Sequence, residues 1–330
     1  MLSECFRKDN KRYPSSKKSV AEIRKKFIAE TFGTFLFVFI VICSVSSSVL
    51  AGAQSGVWQV AVVCGLGVAL SVYATSAISG AHLNPAISLT MLLLQSTTGF
   101  TFFEFCYYCI AQLCGAFLAG ALNYAMWSTF IHNFESMNDI TRGEHGSELS
   151  SQIFCGYFPN PGMFSPHDYP HIMTPSGAMA VEMVGSAMMS FFIFALTDPQ
   201  NTAVIHTSAP GLIGGVIAVI ISLIAPLTGC ILNPARDLGP RLFAALAGWG
   251  RIALPGPHSG FWVYIVGPSI GAPLGALLYN YLLHQGREDN HRTSKIGDGE
   301  SDKLTALLHA ETLRMRSDDD HYTRLISPEK

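Results

Sequence analysis

The tripeptide Asn-Pro-Ala occurs twice in this chain, at Asn84-Pro85-Ala86 and at Asn233-Pro234-Ala235. Asn is a strong N-cap because its side-chain oxygen accepts hydrogen bonds from the first turn of a helix, and Pro fits the first helical position, where no N–H is needed. Each copy therefore predicts the start of a helix. The apolar stretches after them, Ala86 to Gln95 and Ala235 to Ala247, would be roughly 15–20 Å long, about half the thickness of a bilayer core. Both stretches are predicted to be half-helices.

Basic residues are almost absent from the middle of this 330-residue chain, where only four of its 21 Lys and Arg residues lie. Six stretches in this region are apolar and long enough to cross a bilayer. The sequence therefore predicts an all-α membrane protein of six transmembrane helices plus two half-helices. The predicted spans are about 27–50, 57–78, 102–127, 175–196, 209–228 and 259–283.

Both ends of the chain are rich in Lys and Arg, which predicts that both termini are cytoplasmic. This divides the chain into a cytoplasmic N-terminal tail at 1–26, a membrane domain at 27–285 and a cytoplasmic C-terminal tail at 286–330. The membrane domain would consist of repeats at about 27–127 and 175–285, joined by an outer loop at 128–174. The basic residues flank lipid-embedded segments, so they indicate membrane adjacency, and we expect no nucleic-acid partner.

The two halves of the chain match one another. Glu30 in the first predicted span precedes the first motif Asn by 54 residues, and Glu182 in the fourth precedes the second by 51. With three spans per repeat, the second copy inserts upside down, so the half-helices enter from opposite faces and their Asn caps can meet. Broken helices at this depth are tolerated only where the backbone lines a cavity. The duplication therefore predicts a pore.

The wider settings of the motifs are SGAHLNPA at residues 79–86 and GCILNPAR at residues 229–236. Two copies in inverted repeats, with Arg236 directly after the second, resemble the aquaporin (major intrinsic protein) family over about residues 22–285. The resemblance implies the aquaporin-like fold and a homotetramer in membrane lipid with one pore per subunit. It also implies passive conduction that uses neither a cofactor nor a metal.

Within that family, Asp237 and Arg241 resemble the aquaglyceroporin branch, in which an acidic residue follows the Arg and a basic residue lies four positions further on. The same two residues are also spaced to pair at i, i+4 on one helix face. In the sixth span, Ile265 fits the glycerol branch, whereas Tyr264 leans toward the aromatic residue of water channels.

The family's selectivity filter, carried over by spacing from the motifs, falls on Cys64, Ile221, Cys230 and Arg236. Many glycerol channels have an aromatic residue in place of Cys64 and glycine in place of Ile221, so the chain departs from their pattern twice. We expect an opening wide enough for a three-carbon polyol. Arg236 is expected to donate to a permeating hydroxyl and to repel cations, including hydronium. The thiol of Cys230 is expected to face the pore and to be the site of mercurial block.

The same resemblance gives the buried carboxylates Glu30 and Glu182 a supporting role, in which they hold the loops before the half-helices by hydrogen bonds. Asn84 and Asn233 would offer side-chain N–H donors to a molecule at the pore centre. A proton relay through the two carboxylates, as in a coupled transporter, is the alternative for Glu30 and Glu182.

The expected function is therefore a passive channel for glycerol and water in the plasma membrane that excludes protons and ions, with urea and other small neutral solutes left open. A water-selective aquaporin is the nearest alternative. An ion-coupled secondary transporter shares inverted repeats and broken helices, and a structural membrane protein with a closed pore is a third interpretation. An enzyme is not expected, because the sequence shows no nucleophile elbow, phosphate loop or metal-ligand spacing.

Overall fold

The computed structural model describes residues 19–94, 99–164 and 172–284. Most of the predicted N-terminal tail, all of the predicted C-terminal tail and residue 95, the predicted end of the first half-helix, lie outside the described residues. Within these ranges the framework consists of eight helices, which we label α1 to α8 in chain order. They are α1 Val20–Ala51, α2 Gly56–Ser79, α3 Pro85–Leu94, α4 Phe102–Met137, α5 Pro175–Thr197, α6 Ala209–Thr228, α7 Pro234–Ala244 and α8 Val263–Tyr279.

The helices α1, α2, α4, α5, α6 and α8 belong to six helical stretches of the described residues that are long and apolar enough to cross a membrane. The protein is therefore a multi-pass membrane protein. Helices α3 and α7 begin at the Pro of each motif and are the two half-helices. Many apolar side chains on the spanning helices are exposed, as lipid-facing residues must be.

Two spanning helices are longer than predicted. Helix α1 begins at Val20, ahead of the predicted boundary at 27, because Ser19 caps it by accepting from the backbone N–H of Glu22. Helix α4 continues past the predicted end at 127 to Met137. Its extension is amphipathic, with Ile131 and Glu135 buried on one side. The predicted outer loop therefore starts at residue 138, and we call residues 138–174 the long connection.

The second half-helix also ends earlier than the predicted Ala247. Helix α7 stops at Ala244, and Ala245–Trp249 forms a π-helical turn in which Gly248 has a φ of 107°. A further short helix, Gly250–Ala253, leads toward α8. Within the long connection, Glu148–Ser151 forms one helical turn. Residues Asn280–His284 form a π-helical turn of their own.

The helices pack in equivalent pairs. Helix α1 packs on α4 and α5 packs on α8, while α2 and α6 pack on one another across the two halves. Each half-helix lies against a spanning helix of the other half, α3 against α8 and α7 against α4. The duplication seen in the sequence is therefore present in the packing.

Glycines allow the spanning helices to approach closely at matching places. A Cβ at Gly115 on α4 would lie 2.2 Å from the carbonyl oxygen of Thr31, and one at Gly271 on α8 would lie 2.1 Å from that of Met183. No larger residue fits at either crossing without moving a backbone. This close packing fixes α1 and α5, which carry the two carboxylates that contact the half-helix loops.

Candidate functional site

The backbone before each half-helix has an unusual conformation that repeats in the two halves. Ala81 and Leu83 have φ angles of 51° and 52°, and Cys230 and Leu232 have φ angles of 53° and 55°. Residues other than glycine rarely adopt positive φ, and such strain persists only where surrounding contacts impose it. The contacts that hold these loops are therefore part of the site.

Glu30 on α1 holds the first loop. Its Oε1 accepts from the Ser79 hydroxyl at 2.6 Å and from the His82 backbone N–H at 3.0 Å, and its Oε2 accepts from the Leu83 backbone N–H at 2.8 Å. The amide of Gln112 on α4 donates to the same Oε2 at 2.8 Å. The carboxyl group is fully buried, and its hydrogen bonds satisfy backbone donors that the loop itself leaves unpaired.

Glu182 on α5 makes the matching contacts with the second loop. Its Oε1 accepts from the Thr228 hydroxyl at 2.6 Å and from the Ile231 backbone N–H at 3.0 Å, and its Oε2 accepts from the Leu232 backbone N–H at 2.8 Å. These three distances equal those of Glu30 in the first half. The two carboxylates therefore occupy equivalent positions in structure as well as in sequence.

The two motif Asn residues cap their own helices. The Oδ1 of Asn84 accepts from the Ala86 backbone N–H at 2.9 Å, and the Oδ1 of Asn233 accepts from the backbone N–H groups of Ala235 and Arg236 at 3.0 and 3.2 Å. These bonds orient each amide so that its nitrogen points away from its helix.

The amide nitrogens then bind the two loops to each other. Asn84 Nδ2 donates to the carbonyl oxygen of Leu232 at 3.0 Å, and Asn233 Nδ2 donates to that of Leu83 at 2.9 Å. Each of these hydrogen bonds uses one of the two hydrogens on a side-chain NH₂ group. The half-helices thus meet with their N-termini together, and each Asn keeps a second N–H.

A cavity of about 940 Å³ passes this meeting point and includes all four residues of the expected filter. Its polar lining includes the two Asn side chains, Arg236 and the two loops at 80–83 and 229–232. Its apolar lining is mostly branched aliphatic and comes largely from α1, α2 and α6. Members of that apolar wall are Val41, Val45, Val60, Val68, Val72, Ile213 and Ile217.

Arg236 is held at the edge of this cavity and is only 7% exposed. Its Nη1 donates to the carbonyl oxygen of Phe154 in the long connection at 3.2 Å. The cation is therefore oriented by a segment far from it in sequence.

The other three residues of the expected filter contribute little polarity. Cys64 and Cys230 are free thiols and are buried, and Ile221 is partly buried and packs against the clusters that contain each of them. The expected filter therefore combines one cation with an aliphatic side chain and two small, weakly polar ones, all lining the same cavity.

Asp237 and Arg241 form a buried bidentate ion pair, with Arg241 Nε 2.6 Å from Asp237 Oδ2 and Arg241 Nη2 2.9 Å from Asp237 Oδ1. The pair also fastens neighbouring backbone. Arg241 donates to the carbonyl oxygens of Gly156 and Ala253, at 2.6 and 2.7 Å, and Asp237 Oδ1 accepts from the Gly156 backbone N–H at 2.8 Å. Since Gly156 lies two residues after Phe154, the pair supports the segment that orients Arg236.

Tyr264 and Ile265 are the other two positions that the sequence analysis compared with the glycerol branch. Tyr264 is fully buried and donates its hydroxyl to the carbonyl oxygen of Thr228 at 3.1 Å, and Ile265 is partly buried. Neither side chain is among the described residues that line the cavity. Tyr108 makes the matching hydrogen bond to Ser79 in the first half, at 2.6 Å.

The sequence did not single out the long connection as part of the site. Phe154 and Gly156 are brought to α7 by contacts between residues more than 80 positions apart. One signal was present: Arg142, in the same connection, is one of the four basic residues in the middle of the chain.

Comparison with known proteins supports the same interpretation. The model of the major intrinsic protein family matches residues 17–279. A glycerol uptake facilitator protein of Haemophilus influenzae is 40% identical over 261 residues, which cover 78% of this chain and 93% of the relative. The glycerol uptake facilitator protein of Escherichia coli K12 is 40% identical over 266 residues, covering 79% and 89%.

Two further matches extend the comparison. The propanediol uptake facilitator PduF of Citrobacter freundii is 37% identical over 289 residues, covering 84% of this chain and 98% of the relative. The X-ray structure of the aquaglyceroporin from Plasmodium falciparum superposes with a TM-score of 0.65 at 23% identity, covering 81% of this chain and 99% of that one. The predicted fold class is confirmed. The chain belongs to the major intrinsic protein family, in its aquaglyceroporin branch.

Proposed function

We propose that this protein is a passive channel that conducts glycerol and water across the plasma membrane and excludes protons and other ions. The observation that carries the proposal is the cavity in which the two half-helix N-termini meet beside Arg236, along an aliphatic wall. The relatives named glycerol uptake facilitators support the choice of solute.

The two kinds of lining suit an amphipathic solute. The carbon side of glycerol would slide along the aliphatic wall from α1, α2 and α6. Its hydroxyls would donate to carbonyl oxygens of the loops at 80–83 and 229–232, and accept from Arg236 and from the free N–H of each motif Asn. A solute that exchanges such hydrogen bonds for those of water crosses without an energy source.

Ion exclusion follows from fixed positive charge. Arg236 is a permanent cation, and each half-helix N-terminus contributes about half a positive charge. All three face the same cavity, so a cation or hydronium ion is repelled at both the filter and the centre. No group of three or more His, Cys, Asp or Glu side chains that could hold a metal ion occurs among the described residues.

We also propose that both termini are cytoplasmic, which places the long connection on the outer side, and that the protein is a homotetramer in membrane lipid with one pore per subunit. The basic residues at both ends of the chain support the orientation. Cross-linking of the detergent-solubilised protein tests the tetramer, and protease access from each side of sealed vesicles tests the orientation.

The test of the function is light scattering by proteoliposomes after a sudden inward gradient of glycerol, beside a gradient of an impermeant sugar. We expect fast shrinkage in both gradients, followed in glycerol by reswelling faster than in protein-free liposomes. Urea in place of glycerol would define the solute range.

Two outcomes would select other functions. Fast shrinkage without accelerated reswelling would indicate a water-selective channel, with Ile221 closing the filter to glycerol. Reswelling that saturates, depends on an ion gradient and shows counter-flow would indicate a coupled transporter, in which Glu30 and Glu182 could relay protons.

A further inference from the structure

A second mostly buried ion pair, apart from the one on α7, joins the long connection to the end of α4. Arg142 donates to Glu135 through Nη2 at 2.7 Å and through Nε at 3.0 Å, and the two side chains are 14% and 7% exposed. Glu135 is on the extension of α4 that passes the predicted end of its span. The pair therefore fastens the start of the long connection to this extension.

Trp249, in the π-helical turn after α7, joins this pair. Its indole N–H donates to the Ser150 hydroxyl at 2.9 Å, and that hydroxyl donates to Glu135 Oε1 at 2.8 Å. The guanidinium carbon of Arg142 lies 4.2 Å from the centre of the fully buried Trp249 ring. We call Glu135, Arg142, Ser150 and Trp249 the anchor cluster.

The anchor cluster touches the filter through Phe154. The Phe154 ring is fully buried and packs on Trp249 with ring centres 5.5 Å apart, while its carbonyl oxygen accepts from Arg236. Phe154 is thus fastened on one side by Trp249, and two residues later Gly156 is fastened by Arg241. A shift of Trp249 would move the acceptor of the filter cation.

Stability alone is a weak explanation for the anchor cluster. Burying an ion pair costs desolvation, and well-packed apolar residues in the same place are often as stable or more stable. A bidentate guanidinium stacked on an indole does, however, fix direction, because both the fork and the ring are planar. The cluster is therefore suited to holding a backbone carbonyl in one position.

We propose that the anchor cluster is a positioning device for the filter: Glu135, Arg142 and Trp249 hold the Phe154 carbonyl, and through it Arg236, and so set the ratio of glycerol to water permeability. This inference rests on the proposed function of Arg236. Glycerol must bond to the filter at more than one point, whereas water needs only one, so a loosened cation penalises glycerol more.

Two conservative variants test the proposal, Trp249→Phe, which removes only the indole N–H and one ring, and Glu135→Gln, which removes the charge. We expect each to lower the glycerol to water permeability ratio by about three- to tenfold, the size of coupling usual between contacting residues. Lys26→Gln is the matched control, since it removes the cation of a partly exposed ion pair with Glu104 on α4, outside the anchor cluster and the filter. That variant is expected to keep the wild-type ratio.

The decisive step repeats Trp249→Phe in an Arg236→Ala background. If the cluster acts through Arg236, the second substitution produces no further change in the ratio. An equal fall in both backgrounds, or no fall in the wild-type background from properly folded protein, would overturn the proposal, because a cluster that only stabilises the fold lowers protein yield without changing a ratio.

The proposed function can fail separately. A wild-type protein that conducts water but not glycerol would contradict the glycerol proposal. The anchor cluster would then be tested by the ratio of proton leak to water permeability, which also depends on Arg236. We expect Trp249→Phe to raise that ratio in the wild-type background and leave it unchanged in the Arg236→Ala background; any other result overturns the inference.

Discussion

The loop before α3 and the loop before α7 share a backbone conformation, but the half-helices after them carry different side chains. Both loops have positive φ at the first and third positions before the motif Asn, and both are held by a carboxylate and a reciprocal amide. Four residues after the Asn, however, the first half has Ser88 and the second has Asp237. Eight residues after it, the first half has Leu92 and the second has Arg241.

The neutral hydrogen bonds at Ser88 in the first half stay near their own loop. Ser88 accepts from the Gln112 amide at 3.1 Å and lies 3.1 Å from His82 Nδ1, and all of these residues are close to their own loop. The ion pair of the second half reaches instead to the long connection and to the segment before α8. The shared features build the meeting point of the half-helices, and the charged features support the residues of the proposed filter on one side of it.

The largest expected difference between the halves concerns Asp237. Asp237→Ala leaves Arg241 buried without its carboxylate and should lower the free energy of unfolding by about 3–5 kcal/mol. Ser88→Ala, at the equivalent position, removes the two neutral hydrogen bonds with Gln112 and His82 and should cost about 1–2 kcal/mol. Thermal and denaturant unfolding in detergent would measure both, and similar costs for the two would contradict the comparison.

The next effect concerns the carboxylates, for which we expect the halves to agree. Glu30→Gln and Glu182→Gln each turn one acceptor oxygen into a donor that faces a backbone N–H, at a cost of about 1–3 kcal/mol. Unfolding of each variant under the same conditions gives the two costs. If Glu30→Gln proved neutral while Glu182→Gln did not, the loops would not be equivalent, and Gln112 would be the residue that compensates.

A smaller difference is expected between the proton leaks caused by substituting Arg236 and Ile87, which occupies the equivalent place three residues after the Asn in the first half. Arg236→Ala removes a permanent cation from the cavity and should raise the proton leak per unit of water permeability by about tenfold, or about 1.4 kcal/mol of barrier. Ile87→Ala should leave the leak unchanged. A pH-sensitive dye inside the proteoliposomes reports both values, and an unchanged leak in Arg236→Ala would assign ion exclusion to the helix N-termini alone.

The last prediction concerns the residue three positions before each motif Asn. This residue is Cys230 in the second half and Ala81 in the first, and both line the cavity. We expect mercurial block of the wild-type protein to be lost in Cys230→Ser and restored when Ala81→Cys is added, because both positions line the cavity. Water flux before and after mercury gives the result. Block that survives Cys230→Ser but not Cys64→Ser would assign the reactive thiol to Cys64.

Cys155 provides the matched control for mercury. Its thiol is buried in the long connection, where burial raises its pKa, and Cys155 is not among the described residues that line the cavity, so it does not face the permeation path. Cys155→Ser should therefore leave the mercurial block unchanged, and a loss of block in this variant would contradict the assignment.

The elements that sequence predicted depend on local chemistry and duplication. Both Asn-Pro-Ala motifs start helices, the apolar spans need only length and composition, and Glu30 and Glu182 were paired by their spacing. The extension of α4 and the anchor cluster were not predicted, because Glu135 lies past the predicted end of its span and Trp249 joins Ser150 from 99 positions away. Paired charges in a region almost free of basic residues were the one clue in the sequence.

The reciprocal bonds between the two loops also constrain the order in which the protein can be completed. Asn84 bonds to a carbonyl 148 residues later, and Asn233 to one 150 residues earlier. Chains are synthesised from the N-terminus, so the first repeat enters the membrane before its partner loop exists. Until the second repeat arrives, the Asn84 amide and the Leu83 carbonyl lack these partners, and the pore centre closes only once both halves are in place.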